Sequence, residues 1–420
     1  MFAVGQISSG CGKRIWALSI VLAITAAAPI AMFGDKKKKD KYPADELTPQ
    51  AKYLQSLDFE KIVWPNPPAI ARIKYLNFFS GEKFKPVQEQ KKPKASWMDR
   101  LSGVATGGTP QSEKLRFQLV TPYGVAVDSK GRVYVADSKV RAIFIFNTET
   151  GEVELMKNGV EARYKWLTGL AFDDADRLYA ADSGMQRILI FDPQRKVEGS
   201  ITEGLKSPGG VAIDNENRFL YVADAELDQI LVYDADPPYK LLRTIGTRDK
   251  EHRLTSPGDF SRPTNVAVDQ EGNLYVTDTW NNRVQIFDAE GKFIRTFGKA
   301  GDGPGYFARP KGIAIDSDGN VWVADSVQDR VQVFSPEGRL LIYLGGRGLL
   351  PGQFQSVTGL TIDKNNRVIT SEQFPGRVQM FRYVTEAEAK AEKERREAEA
   401  QKKGSTPEKP SAAAKDTSAK

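Results

Sequence analysis

Six times along this chain the same phrase returns, most clearly as Pro310-Lys311-Gly312-Ile313-Ala314-Ile315-Asp316, then Gly319-Asn320-Val321-Trp322-Val323-Ala324-Asp325, then Arg330-Val331-Gln332-Val333-Phe334. A unit of this size cannot bury its own apolar face, so its neighbours must supply the partner surface. The copies are anchored by the aspartates Asp128, Asp173, Asp214, Asp269, Asp316 and Asp363, at intervals of 45, 41, 55, 47 and 47 residues. Within each copy short apolar runs alternate with period two, as in Val125/Val127, Val133/Val135 and Ile143/Ile145, and Gly, Asn and Asp bound them. That pattern predicts one four-stranded sheet per repeat with hairpin connections. Three residues beyond each anchor stand Gly131, Asp176, Asn217, Gly272, Gly319 and Asn366, types that tolerate positive φ at a bend.

A second acid follows nine residues after the anchor, as Asp137, Asp182, Asp278, Asp325 and Glu372, while the third copy delays it to Asp224. Five residues further stand Arg187, Arg283, Arg330 and Arg377; Ala142 and Gln229 break the pattern. The acid ends one strand and the arginine opens the next, so the expected role is a cross-strand ion pair in the hairpins Asp182–Arg187, Asp278–Arg283, Asp325–Arg330 and Glu372–Arg377. The competing reading is a ring of binding carboxylates.

The Pro-x-Gly-Ile-Ala-Ile-Asp, Tyr-Val-Ala-Asp-Ser and Arg-Val-Gln-Val-Phe phrases, with Phe297-Gly298 ending a repeat, resemble NHL repeats from about Ile73 to Tyr383. The resemblance implies an all-β fold: a six-bladed β-propeller of four-stranded antiparallel blades. The last copy offers only three strands before the sequence turns charged. Residues 72–80 read like a blade-ending strand, so an N-terminal strand is expected to complete the final blade and pair its open edge.

Five segments follow. Residues 1–34 form a signal sequence or membrane anchor, with Lys13 and Arg14 before an apolar stretch over 15–33. Residues 35–71 are a basic linker, 72–383 the propeller with an insert at 81–121, 384–402 a charged helix opening on the capping-box pattern Thr385-Glu386-Ala387-Glu388, and 403–420 a disordered tail. The expected location is extracytoplasmic, periplasmic or at the cell envelope, with anchoring by 15–33 if that segment is uncleaved. An anchored chain with a cytoplasmic propeller is the alternative, because Lys36 to Lys39 follow the apolar stretch directly.

The net charge of +6 is unevenly spread: the basic excess lies in residues 1–109, and 110–383 are slightly acidic. Nucleic acid is therefore not the expected partner. The single cysteine, Cys11, permits no internal disulfide.

His252 is the only histidine, which excludes the multi-histidine zinc site that the resemblance to propeller lyases would imply. Sugar-lactone hydrolases on similar propellers hold calcium through Glu, Asn and Asp, so a metal-assisted hydrolase or lyase at the central channel is the alternative function. No Gly-x-Ser-x-Gly or Walker-type run is present.

The favoured function is a non-enzymatic binding or scaffold module, monomeric and without a cofactor, that presents one loop-rich face to a protein, peptide or glycan. Loops joining second to third strands, and those between blades, share that face. Trp280 and Phe374 are large apolar groups in tight polar turns there, and Trp280, Asn281, Asn282, Arg253 and Phe374 are the candidate partner-binding residues.

Overall fold

The computed structural model describes residues 53, 56–81, 118–156, 163–247 and 256–404. The chain divides into Met1–Gln50 and Ala51–Lys420, and all described residues belong to the second unit. The apolar stretch, the Lys36–Lys39 run, His252, Arg253 and most of the insert lie outside the described residues.

Each repeat becomes one antiparallel sheet, so the chain is a six-bladed propeller. Blade five shows the plan: Pro310–Ile315 lines the centre, Val321–Asp325 and Arg330–Phe334 follow outward, and Leu340–Gly345 forms the outer edge. Blade six combines Val357–Ile362, Arg367–Glu372 and Arg377–Tyr383 with Ile73–Phe79, which pairs antiparallel to Arg377–Tyr383. Val63–Trp64 adds a short fifth strand outside it. The stretch assigned to a linker is thus partly structural, since Phe59, Ile62 and Trp64 pack against the core shared by blades five and six.

The core is six clusters, each shared by two adjacent blades. One joins Trp322, Ala324 and Val331 of blade five to Val357, Val368 and Phe381 of blade six. Another joins Phe79, Ile369 and Val378 of blade six to Val125, Val135 and Phe144 of blade one, which closes the circle. Phe307 and Phe354, each fully buried after the loop leading to its blade, fill the seams between blades four and five and between five and six.

At the inner strands the blades nearly touch. A Cβ on Gly124 would stand 2.2 Å from the Thr168 carbonyl oxygen, and one on Gly359 would stand 2.1 Å from that of Tyr123. The glycine of the repeated phrase is therefore a spacing requirement between blades. Hydroxyls bridge the same seam from alternate blades. Thr168 donates to the Pro208 carbonyl, Thr279 to that of Pro310, and Thr358 to that of Pro122, at 2.9, 2.7 and 3.3 Å.

The anchoring aspartates build the first hairpins. Asp316 accepts the backbone amides of Asp318 and Asn320 and the Trp322 indole N–H, and Asp128 takes Lys130 and Arg132 in the same way. Positive φ falls three residues past the anchor at Gly131, Asp176, Gly272, Gly319 and Asn366. In blade three it falls instead on Arg218, one residue later than expected. Its hairpin is longer by one residue, which is also why Asp224 is delayed.

The C-terminal helix runs over Glu386–Gly404. Its capping box is formed, with Glu388 accepting the Thr385 amide at 3.0 Å and the Thr385 hydroxyl accepting the Glu388 amide at 3.2 Å. Arg396 donates to the Pro68 carbonyl, and the Arg72 guanidinium pairs with Glu386 at 2.8 Å, so both flanks of the propeller fasten to blade six.

Candidate functional site

The six second acids sit at the ends of the second strands, at the end of the propeller that carries the turns between second and third strands. Their principal partners are backbone amides. Asp137 accepts Val120 and Thr121, Asp182 accepts Lys165 and Trp166, Asp224 accepts Lys206 and Ser207, and Asp325 accepts Ala308 and Arg309. Each carboxylate thereby clamps the segment that enters the inner strand of its own blade. Asp137, Asp224 and Asp325 use the other oxygen on the amides of the adjoining turn, such as Val327 and Gln328.

The predicted acid–arginine register is present in all four hairpins. Two of them are ion pairs: Asp278–Arg283 and Glu372–Arg377, each 2.8 Å with the acid fully buried. Burial pushes both carboxyls up; the Ser261 amide and Arg283 oppose this at Asp278, as Arg377 does at Glu372. The other two differ from expectation. Arg187 donates to the Arg163 carbonyl and Arg330 to that of Asp302; at Asp182 and Asp325 two entry-segment amides occupy both carboxylate oxygens, whereas Asp278 and Glu372 each take one such amide and turn the other oxygen to the arginine.

The turns above these acids form a face rich in exposed apolar groups. Trp280 is 55% exposed and Phe374 64%. Trp166 in blade two (54%) and Val327 in blade five (64%) join them, with Met185 beside them in blade two. Sequence reading missed these three. A signal existed for Trp166: aligned on the residue just before the inner strand, the six copies read Thr121, Trp166, Ser207, Arg262, Arg309 and Ser356.

Trp280 is held firmly. Its amide donates to the Ser261 carbonyl, and the guanidinium carbons of Arg262 and Arg309 lie 5.0 and 5.5 Å from the ring centroid. Asn281 and Asn282 stabilise the turn: Asn281 Nδ2 donates to Asp278 at 2.9 Å, and Asn282, in the left-handed region, donates to the Ala308 carbonyl at 2.6 Å. The structure therefore brings Trp280, Asn281 and Asn282 together and sets Phe374 on the tip of blade six.

The opposite end is acidic and internally neutralised. A cavity of about 840 Å³ there is lined by Asp128, Arg132, Asp173, Asp363 and Arg367 among others. Arg132, Arg177 and Arg367 pair with Asp128, Asp173 and Asp363 at 2.6 to 2.7 Å. Among the described residues no three His, Cys, Asp or Glu side chains stand together as a metal-binding group, and no helix is long and apolar enough to cross a membrane.

A family model described as a six-bladed β-propeller matches residues 259–322. NHL repeat-containing protein 2 of Bos taurus is 32% identical over 102 residues, covering 23% of this chain and 14% of that protein. Protein brain tumor of Drosophila melanogaster is 48% identical over 44 residues, 10% of this chain and 4% of its own length. The chain thus spans only a small part of these relatives. Among solved structures, a gluconolactonase from Xanthomonas campestris aligns at 19% identity and a TM-score of 0.48, over 64% of this chain and 89% of that one. Blade count, strand order and matched repeats define a six-bladed β-propeller. Its repeats are similar to those of the NHL repeat-containing proteins matched above.

Proposed function

We propose that this chain is a non-enzymatic binding module that presents the face carrying Trp280 to a protein or peptide partner at the cell envelope. The observation that carries this reading is the exposure of Trp280, Trp166, Val327 and Phe374 on turns of different blades at one end of the ring. Large apolar groups gathered on a rigid surface mark an interaction site more often than idle solvent contact. The envelope part rests on the apolar stretch 15–33. A double variant Trp280→Ala/Phe374→Ala should melt at the wild-type temperature and lose partners that the wild-type chain retains from a native envelope extract. Retention of every partner by a folded double variant would overturn the reading.

A further inference from the structure

Cations at the two ends of the propeller are treated differently. At the acidic end Arg132, Arg177, Arg195, Arg218 and Arg367 each meet a carboxylate. At the Trp280 end, among the described residues, only Arg283 and the buried Arg377 do so. Arg262, Arg309 and Lys311 make no ion pair there. They stack on rings instead: Arg262 and Arg309 on Trp280, and Lys311 Nζ lies 5.4 Å from the Tyr123 centroid.

Tyr123 and Lys311 are the second residues of the inner strands of blades one and five, two blades apart, so this contact spans the upper channel mouth. Arg309 and Lys311 flank Pro310 in one short stretch. A continuous line results: Arg262, Trp280 and Arg309 at the tips of blades four and five, then Lys311 and Tyr123 at the centre.

We infer that this line is a docking track for an extended, carboxylate-rich segment of a protein partner, a specification that rests on the binding-module reading. Guanidinium groups stacked on a ring keep N–H groups at their edges, and such edges match carboxylates bidentately; Arg309 spends Nη1 on the Ala308 carbonyl and has its other N–H groups left to offer. Stacking fixes the side chains in advance and reduces the entropy lost on binding. Single-stranded nucleic acid fits less well, because its bases need open aromatic faces. Here two guanidinium groups already compete for the Trp280 ring and an ammonium for that of Tyr123. The exposed Val327 and Met185 offer aliphatic surface suited to apolar side chains of a peptide.

The test is fluorescence polarisation on the full chain with three labelled probes: a peptide in which glutamates alternate with leucines, its lysine counterpart, and an oligouridylate of equal length. The glutamate peptide should bind, with affinity falling steeply as salt rises. Arg262→Glu/Arg309→Glu and, separately, Lys311→Glu should each weaken it by about tenfold or more, while Arg347→Glu, off the track, leaves it within about twofold. Lys311→Glu keeps the test decisive if the double variant fails to melt cooperatively. Lysine-peptide binding that Trp280→Ala abolishes would overturn the acidic-partner inference and leave the binding module standing. Tighter binding of the oligouridylate, equal affinity in the charge-reversed chains, or no binding of the glutamate peptide would each overturn the inference.

Discussion

Glu372 and Arg377 face each other in register across the second and third strands of blade six, Oε1 2.8 Å from Nε, and both are buried. Asp182 and Arg187 occupy the same register in blade two without joining; there each carboxylate oxygen takes a backbone amide and Arg187 turns to the Arg163 carbonyl. One sequence motif thus carries two energetic roles, and substitutions should separate them.

Arg377→Ala leaves the buried Glu372 without a counter-charge, held only by Gln355 and Gln379, and should cost about 3–5 kcal/mol. Arg187→Ala removes a side chain bonded only to an exposed carbonyl and should cost about 1 kcal/mol or less. Urea denaturation of the two variants, compared at equal m-values, checks the contrast.

Asp325→Ala removes the acceptor of four backbone amides, those of Ala308, Arg309, Val327 and Gln328. Unsatisfied buried donors cost about 1–3 kcal/mol each before relaxation or water entry. The expected loss is roughly 3 kcal/mol, with faster amide exchange confined to the entry segment and turn of blade five. Uniform exchange across all blades would show that the carboxylate is not a local clamp.

Asp236 joins Arg218 at 3.0 Å and Arg177 at 2.6 Å, where blades two and three meet. These guanidinium groups hold its carboxyl down at about 2, well below its unfolded value near 4. A depressed acid contributes stability above the unfolded pKa and loses it as pH falls through the folded one. The melting-temperature gap between wild type and Asp236→Asn should therefore be constant from neutral pH down to about 5, shrink through 4, and close near 2. A gap that persists at pH 2 would assign the effect to packing.

A chain shortened to begin at Glu82 lacks Ile73–Phe79 and leaves the edge of Arg377–Tyr383 unpaired. It also strips Ile73 and Tyr75 from the cluster between blades five and six, and Phe79 from the one between six and one. Such a chain should melt early and associate through the open edge, visible as a rising light-scattering mass with concentration. A monomer melting at the full-length temperature would refute this role.

The repeat made blade number, strand order and hairpin chemistry readable, because Asp316 and its equivalents act within a few residues of themselves. What escaped reading depends on contacts between copies. The acids Asp182 and Asp325 look identical in sequence to Asp278, yet their partners are decided by how a preceding loop presents its amides. Arg262 and Arg309 are ordinary loop residues until adjacent blades bring both to Trp280. The role of Gly359 becomes visible only against Tyr123, one blade onward and far away in sequence.

Arg72 and Val384 meet through Arg72 Nε and the Val384 carbonyl, although 312 positions separate them. During synthesis the strand Ile73–Phe79 emerges before any blade exists, and its partner strand appears only after the other five sheets have been made. Blades one to five can stack as they emerge, but the circle cannot lock until Arg377–Tyr383 has been made. Closure is therefore a late step gated by the last strands, and until then an apolar strand and an open seam await each other in every growing molecule.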